Sequence, residues 1–255
     1  IMATVFKNYP KEKTAFLNPE DIIKRTPNFP ELCVSTFSEN IINEFFSGDN
    51  REIKCEICTA NGNIPIYEVD YKNKKIALFV SRIGAPACVA GIEEVIALGA
   101  KKFVLFGSCG ILDEKIARGK VIIPTSAIRD EGVSYHYIEA SDEIMADKNS
   151  VNVLAECSEK CGYPFVKGKI WTTDAIYRET HERIRERKSE GCIAVEMECA
   201  SAMAVTQFRK VPFAQFLFGA DSLDTTQWEQ RDLTDYGLSD AKKYLKLAFE
   251  CILAL

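Results

Sequence analysis

KIALFVSRIGAPACVAGIEEVIALGAKKFVLF, residues 75–106, decides the architecture. Lys75–Ser81 is rich in strand-forming side chains, and Ile64–Tyr71 reads as its hairpin partner across a turn at Lys72–Lys74. Pro86 suits the first turn of a helix, where a missing N–H leaves no hydrogen bond unmade. Val89, Ile92, Val95 and Ile96 then recur at helical spacing as far as Leu98, and Gly99 supplies a stop. Lys102–Phe106 ends in the continuous apolar run of a buried strand. Strand, helix and strand within about 30 residues make a βαβ unit, which implies a parallel sheet covered by helices.

The alternation continues toward the C-terminus. Val121–Pro124, Gly168–Thr172, Cys192–Val195 and Val211–Phe218 read as strands. Val151–Gly162 and the charged Glu179–Glu190 read as helices, as does Met197–Phe208, whose Ala- and Met-rich composition predicts near-complete burial. Ser239 is expected to cap a last amphipathic helix through Leu253. Toward the N-terminus the pattern weakens. Pro10, Pro19, Pro27 and Pro30 break the first fifty residues into short pieces, and Ser38–Phe46 alone has helical periodicity. We therefore expect one α/β domain over residues 1–255, with residues 1–50 as an atypical N-terminal segment.

Composition limits the function. The 255 residues are 47% hydrophobic and 27% charged, enough for one large core. A net charge of −5, with basic residues spread along the chain, argues against nucleic acid as a partner. No apolar run reaches the length of a membrane span, and the N-terminal stretch lacks the apolar segment of a signal peptide, so the expected location is the cytoplasm. Ten cysteines fit a reducing compartment, most of them in apolar surroundings where a thiol behaves as a small hydrophobe. Cys55 and Cys58 form a lone CxxC; with only His136 and His181 in the chain, no zinc site is completed and no metal is expected.

Polar residues cluster where the strands end, which is where an open α/β sheet binds its ligands. Arg82 follows the first strand of the βαβ unit, and Gly107-Ser108-Cys109-Gly110 follows its second. Glu196-Met197-Glu198 and Asp221-Ser222 follow two later strands. Each has a plain structural explanation alone. An acid at a helix start can serve the helix dipole, and a glycine turn after a strand is common. Two acids flanking Met197 before an apolar helix are harder to explain so, because burying an unpaired charge costs several kcal/mol. A polyol would satisfy them. GSCG is neither a P-loop nor a dinucleotide fingerprint, yet as a turn it presents backbone N–H groups and the Ser108 hydroxyl to an anion.

The succession SRIGAP, VLFGSCGIL, WTTDAIY, AVEMECA and FGADS resembles the nucleoside phosphorylase-I family, the purine nucleoside, uridine and methylthioadenosine phosphorylases with the related nucleosidases. The resemblance runs from Lys75 to the C-terminus. It implies an α/β fold with a central mixed sheet flanked by helices, no metal or organic cofactor, and a nucleoside and phosphate as small-molecule partners. Cleavage of an N-glycosidic bond is implied as the reaction, as is a homo-oligomer, whether dimer, trimer or hexamer. Residue by residue, it implies that Glu198 accepts hydrogen bonds from the ribose hydroxyls and that Met197 packs on the sugar, with Glu196 beside them. Gly107 and Ser108 would meet phosphate, Cys109, Gly110, Ile176 and Tyr177 would line the base, and Asp221 would protonate a purine.

Departures from the family pattern concern the anion. Leu105 stands where many relatives carry a phosphate-binding arginine, and no N-terminal glycine loop with an arginine precedes residue 50. A histidine lent across a subunit interface is also missing there. Arg82 is the expected replacement, with Arg129 and Arg178 as alternatives. RDEGVSYHY, residues 129–137, is expected to be a loop edging the site, His136 serving either catalysis or structure. Asp221 falls 23 residues after Glu198, an interval expected of purine-specific relatives, and the segment 178–183 lacks the glutamine with which uridine phosphorylases read uracil. Phosphorolysis of a purine nucleoside is the leading expectation. Uridine phosphorolysis, phosphate-independent hydrolysis and non-catalytic nucleoside binding stand as alternatives.

Overall fold

Phe103 and Leu105 face one core while Val104 and Phe106 face another, and this alternation along a single strand organises the molecule. The computed structural model describes residues 10, 12–46, 52–116, 119–224, 228–231 and 240–255. Within them lies one mixed ten-stranded sheet. Its shared element is β5 (Lys102–Ile111). The first half of β5 pairs in parallel with β1 (Leu32–Thr36), beyond which β4 (Lys74–Val80), β3 (Ile64–Tyr71) and β2 (Ile53–Ile57) form an open wing. On its other edge β5 pairs in parallel with β10 (Phe213–Ser222). From β10 the pairing passes to β6 (Val121–Asp130), β8 (Phe165–Thr173) and β9 (Cys192–Glu196), and β9 returns to the second half of β5. Five strands thus close on themselves, and β7 (Glu143–Met145) adds to β6.

Helices cover both faces. On one, α3 (Ala85–Leu98) and α6 (Cys199–Arg209) bury Val89, Ile92, Val95, Ala202 and Val205 with Phe103 and Leu105. On the other, α2 (Glu39–Phe45), α4 (Lys148–Cys161) and α7 (Ala241–Ala254) pack on Val104, Phe106 and Phe216. Phe106 and Phe216 stack at 5.1 Å, each contributing about 1.5–3 kcal/mol by burial. α5 (His181–Ser189) sets Ile184 against Trp171 and Val195, and the single turn α1 (Pro19–Ile22) lies on α3.

Several elements differ from the sequence expectation. β1, inside the segment that looked atypical, occupies the middle of the sheet between β4 and β5. Its five residues carry no periodicity long enough to register, and only non-local pairing makes them a strand. β2 and β7 went unread for the same reason. β6 runs to Asp130 rather than stopping at Pro124, because the register shifts between Pro124 and Ser126, where proline cannot donate, and pairing then resumes. The Ser239 cap lies outside the described residues.

Candidate active site

β9 ends at Glu196 and α6 begins at Cys199, so the two acids flank the junction of strand and helix with Met197 between them. Glu198 holds the position before the helix, yet its side chain does not cap it. Its Oε1 instead accepts the Gly84 N–H at 2.6 Å. Gly84 has φ +93°, a conformation that side-chain-bearing residues avoid, and this turns its N–H away from α3 toward the acid. Contact between the β4–α3 loop and the β9–α6 junction is thereby made through a carboxyl that is only 5% exposed.

Glu196 is engaged differently. Its Oε2 accepts the N–H groups of Glu198 and Cys199, both at 2.7 Å, and its Oε1 accepts the Thr172 hydroxyl at 2.5 Å. Expected as a sugar contact, it has both oxygens committed inside the protein. Burial pushes both carboxyls above the ordinary range, and the Glu196 charge pushes Glu198 further. The donors around Glu196 favour its charged form, so Glu198 is the member of the pair that holds a proton more readily.

Gly107–Gly110 is strand, not the turn expected from its glycines. β5 continues through Ile111 because Leu217–Asp221 of β10 lies in register beside it, so backbone donors on that edge serve the sheet. The glycines answer to packing: a Cβ on Gly107 would stand 2.6 Å from the Phe37 ring, and one on Gly110 would stand 2.4 Å from Leu223 and 3.3 Å from Asp221 Oδ1. Ser108 is half-buried, and the Cys109 thiol, raised by burial, sits among the charges of Asp221, Glu196 and Arg231. Asp221 follows a bulge in β10 and accepts the Trp228 indole N–H at 2.7 Å. Burial raises its pKa, against the pull of Trp228 and of the Arg231 charge. Three of the four strand-end clusters are adjacent, Gly110 pairing with Val195 beside Glu196 and lying next to Asp221, and the loop that follows Arg82 reaches Glu198 through the Gly84 N–H.

Other expected residues are held by contacts within the protein or stand exposed. Arg82 Nη2 donates to Thr59 Oγ1 and Gly62 O, both at 2.7 Å, which docks it on the β2–β3 turn, while its Nε is buried without a partner. Arg129 is the last but one residue of β6 rather than a loop residue. It is 3% exposed, stacks on Tyr135 and donates to Ser134, Ser141 and the Glu139 carbonyl, so it organises the following loop and offers no free cation to the cleft. His136 is exposed and lines a separate cavity of about 780 Å³ with Phe16, Leu17, Val89 and Phe208; Glu198, Ser108 and Asp221 are not part of it. Ile176, Tyr177 and Arg178 form an exposed turn, Tyr177 being 95% exposed. Leu105 is fully buried in the core. Among the described residues, no three His, Cys, Asp or Glu side chains are placed to share a metal ion.

Sequence reasoning missed Glu179, Thr172, Trp228 and Arg231. Glu179, just beyond the exposed turn, is raised to about 7 by burial and then by the Asp221 charge. Its nearness to Asp221, 42 positions away, left no local signal, and neither did the bonding of Thr172 to Glu196 across β8 and β9.

Comparison with known proteins agrees with the fold. Residues 40–252 match the family described as the Phosphorylase superfamily. A guanosine phosphorylase from Halorubrum lacusprofundi is 25% identical over 152 residues, 60% of this chain and 63% of that protein, so the match spans less than two thirds of that relative's length. A DeoD-type purine nucleoside phosphorylase from Colwellia psychrerythraea is 26% identical over 82% of this chain and 88% of its own. Among solved structures, a uridine phosphorylase from Vibrio fischeri superimposes with a TM-score of 0.72 at 19% identity, covering 92% of this chain and 98% of that one.

Proposed function

The chain belongs to the Phosphorylase superfamily, and from that membership we propose that it cleaves a purine nucleoside by phosphorolysis to free base and ribose 1-phosphate. The observation that carries this reading is the buried Glu198 carboxyl, presented beside Met197 and held by the Gly84 N–H rather than by its own helix. Glu198, ionised, accepts the ribose hydroxyls. These bonds strengthen as the sugar acquires oxocarbenium character, so they favour the transition state over the bound substrate. The C1′–N9 bond breaks with its electron pair going to the base, and Asp221, raised by burial, gives a proton to N7. A phosphate oxygen held near Ser108, Gly107 and Arg82 closes the new bond at C1′. Cys109, Gly110, Ile176 and Tyr177 line the base.

Phosphate is the co-substrate, and neither metal nor organic cofactor takes part. A cytoplasmic homo-oligomer completes the proposal. Ten free cysteines support a reducing compartment, and the exposed Phe16, Leu17, Ile22 and Ile83 support assembly. No helix among the described residues is long and apolar enough to cross a membrane.

Incubation with a nucleoside panel, with and without phosphate, tests the reading through release of free base. Purine release only with phosphate is the expected result. One observation favours hydrolysis as a second reading: Leu105 is sealed in the core, so the anion lacks a cation from that strand. Base release at equal rate without phosphate would establish it.

A further inference from the structure

An α-helix starts with N–H groups that nothing inside the helix can satisfy, and the residue before the first turn normally supplies the acceptor. In α6 that residue is Glu198, and its side chain is turned instead toward Gly84. Two side chains from neighbouring strands do the work. Glu196, the last residue of β9, takes the N–H groups of Glu198 and Cys199, and Thr172 of β8 takes the N–H of Ala200 at 3.0 Å. The Thr172 hydroxyl then donates to Glu196 Oε1, so its one proton and one of its two lone pairs are engaged. Thr172 and Glu196 are direct neighbours in the β8–β9 register, which fixes their spacing without any loop. Thr172 is wholly buried and Glu196 6% exposed.

We propose that Thr172 and Glu196 form a surrogate cap that positions Glu198, freeing the Glu198 carboxyl from helix capping so that it can serve the substrate. The inference rests on the ribose-binding reading of Glu198. Both are positioning residues: neither reaches the sugar, Glu196 acting through the N–H groups of Glu198 and Cys199 and Thr172 through that of Ala200, which together fix the first turn from which the Glu198 side chain begins. The negative Glu196 also faces the positive end of the α6 dipole, which holds it in place. Thr172→Val keeps the shape and removes both the donor and the acceptor. Thr172→Ser keeps them.

The test combines Thr172→Val, Thr172→Ser and Glu196→Gln with Glu198→Gln in the full-length protein, using a purine ribonucleoside and its 3′-deoxy counterpart. Thr172→Val is expected to lower kcat/KM for the ribonucleoside by about 10- to 100-fold, the scale of a displaced catalytic contact, with Thr172→Ser restoring it. In the Glu198→Gln background, and on the 3′-deoxy substrate, the same substitution should cost clearly less, by about threefold or under, because the charge is already gone in the first and one of the two hydroxyl contacts in the second. Equal losses on both substrates, losses that add in the Glu198→Gln background, or failure of serine to restore activity would overturn the proposal. If Thr172→Val does not fold, Glu196→Gln is read by the same substrate comparison. A wild-type protein that cleaves no nucleoside refutes the functional reading and this inference with it, whereas a cleaving wild type with additive losses refutes only this inference.

Discussion

Replacing Glu198 by Gln isolates the charge of the acid from its shape. The amide oxygen can still accept the Gly84 N–H, so the contact between the β4–α3 loop and the β9–α6 junction persists. What disappears, on the proposed reading, is the charge offered to two ribose hydroxyls. A hydrogen bond to a charged group contributes about 1.5–3 kcal/mol and a neutral one about 0.5–1.5, so two weakened contacts amount to about 2–3 kcal/mol of transition-state stabilisation. That corresponds to about a 30- to 150-fold loss in kcat/KM. Stability should move the other way. Glu198 is buried beside Glu196, and its raised pKa means that ionising it opposes folding; the amide removes this, so melting temperature above neutral pH should hold or rise. Activity has its own pH signature. Glu198 must be ionised to accept two hydroxyls, so wild-type kcat/KM should climb as pH rises through its elevated pKa, and this limb should be absent in the variant. Initial rates of base release between pH 5.5 and 9, with thermal melts and circular dichroism on the same samples, measure all three. A variant with the native spectrum and near-normal kcat/KM would remove Glu198 from the mechanism.

Asp221→Asn should sharply reduce cleavage of inosine and adenosine while sparing a nitrophenyl riboside, whose leaving group needs no proton; uridine as the better substrate, untouched by the change, would refute the purine assignment. Arg82→Lys should raise the KM for phosphate more than that for nucleoside, since lysine cannot reproduce a two-pronged anion contact or the grip on Thr59 and Gly62, and equal effects would point to damage of the β2–β3 turn. Glu179 binds a proton in the folded state up to about 7 against an ordinary 4.5, so its contribution to stability is lost as pH rises through that window. Glu179→Gln should flatten the fall in melting temperature between pH 5 and 8, by at most about 3 kcal/mol before solvent screening, and an unchanged slope would show that Glu179 is not the group titrating. Gly84→Ala should impair catalysis by straining a φ of +93° that aims the N–H at Glu198, seen as reduced kcat/KM with retained secondary structure.

The residues that carry local signals declared themselves in the sequence. Residues 75–106 announced strand, helix and strand, because helical spacing from Val89 to Ile96 and the apolar run at Phe103–Phe106 are properties of neighbouring positions. The pair of acids around Met197 was visible for the same reason: charges before an apolar helix stand out in one dimension. What the two acids do was not visible. Glu196 and Glu198 differ in which donors reach them, and beside the local N–H groups of Glu198 and Cys199 those donors are Thr172 and Gly84 on other elements. GSCG was misread as a turn because glycine permits one, while the partner that makes it strand, β10, lies about a hundred residues away. β1 escaped notice because five residues are too few to show a period, and their strand conformation is enforced by β4 and β5 on either side. Patterns within a turn of helix or a run of strand are set by the covalent chain, whereas hydrogen-bond partners and strand neighbours follow from which distant surfaces bury together. The family belongs to the first kind of information; the division of labour between the two glutamates belongs to the second.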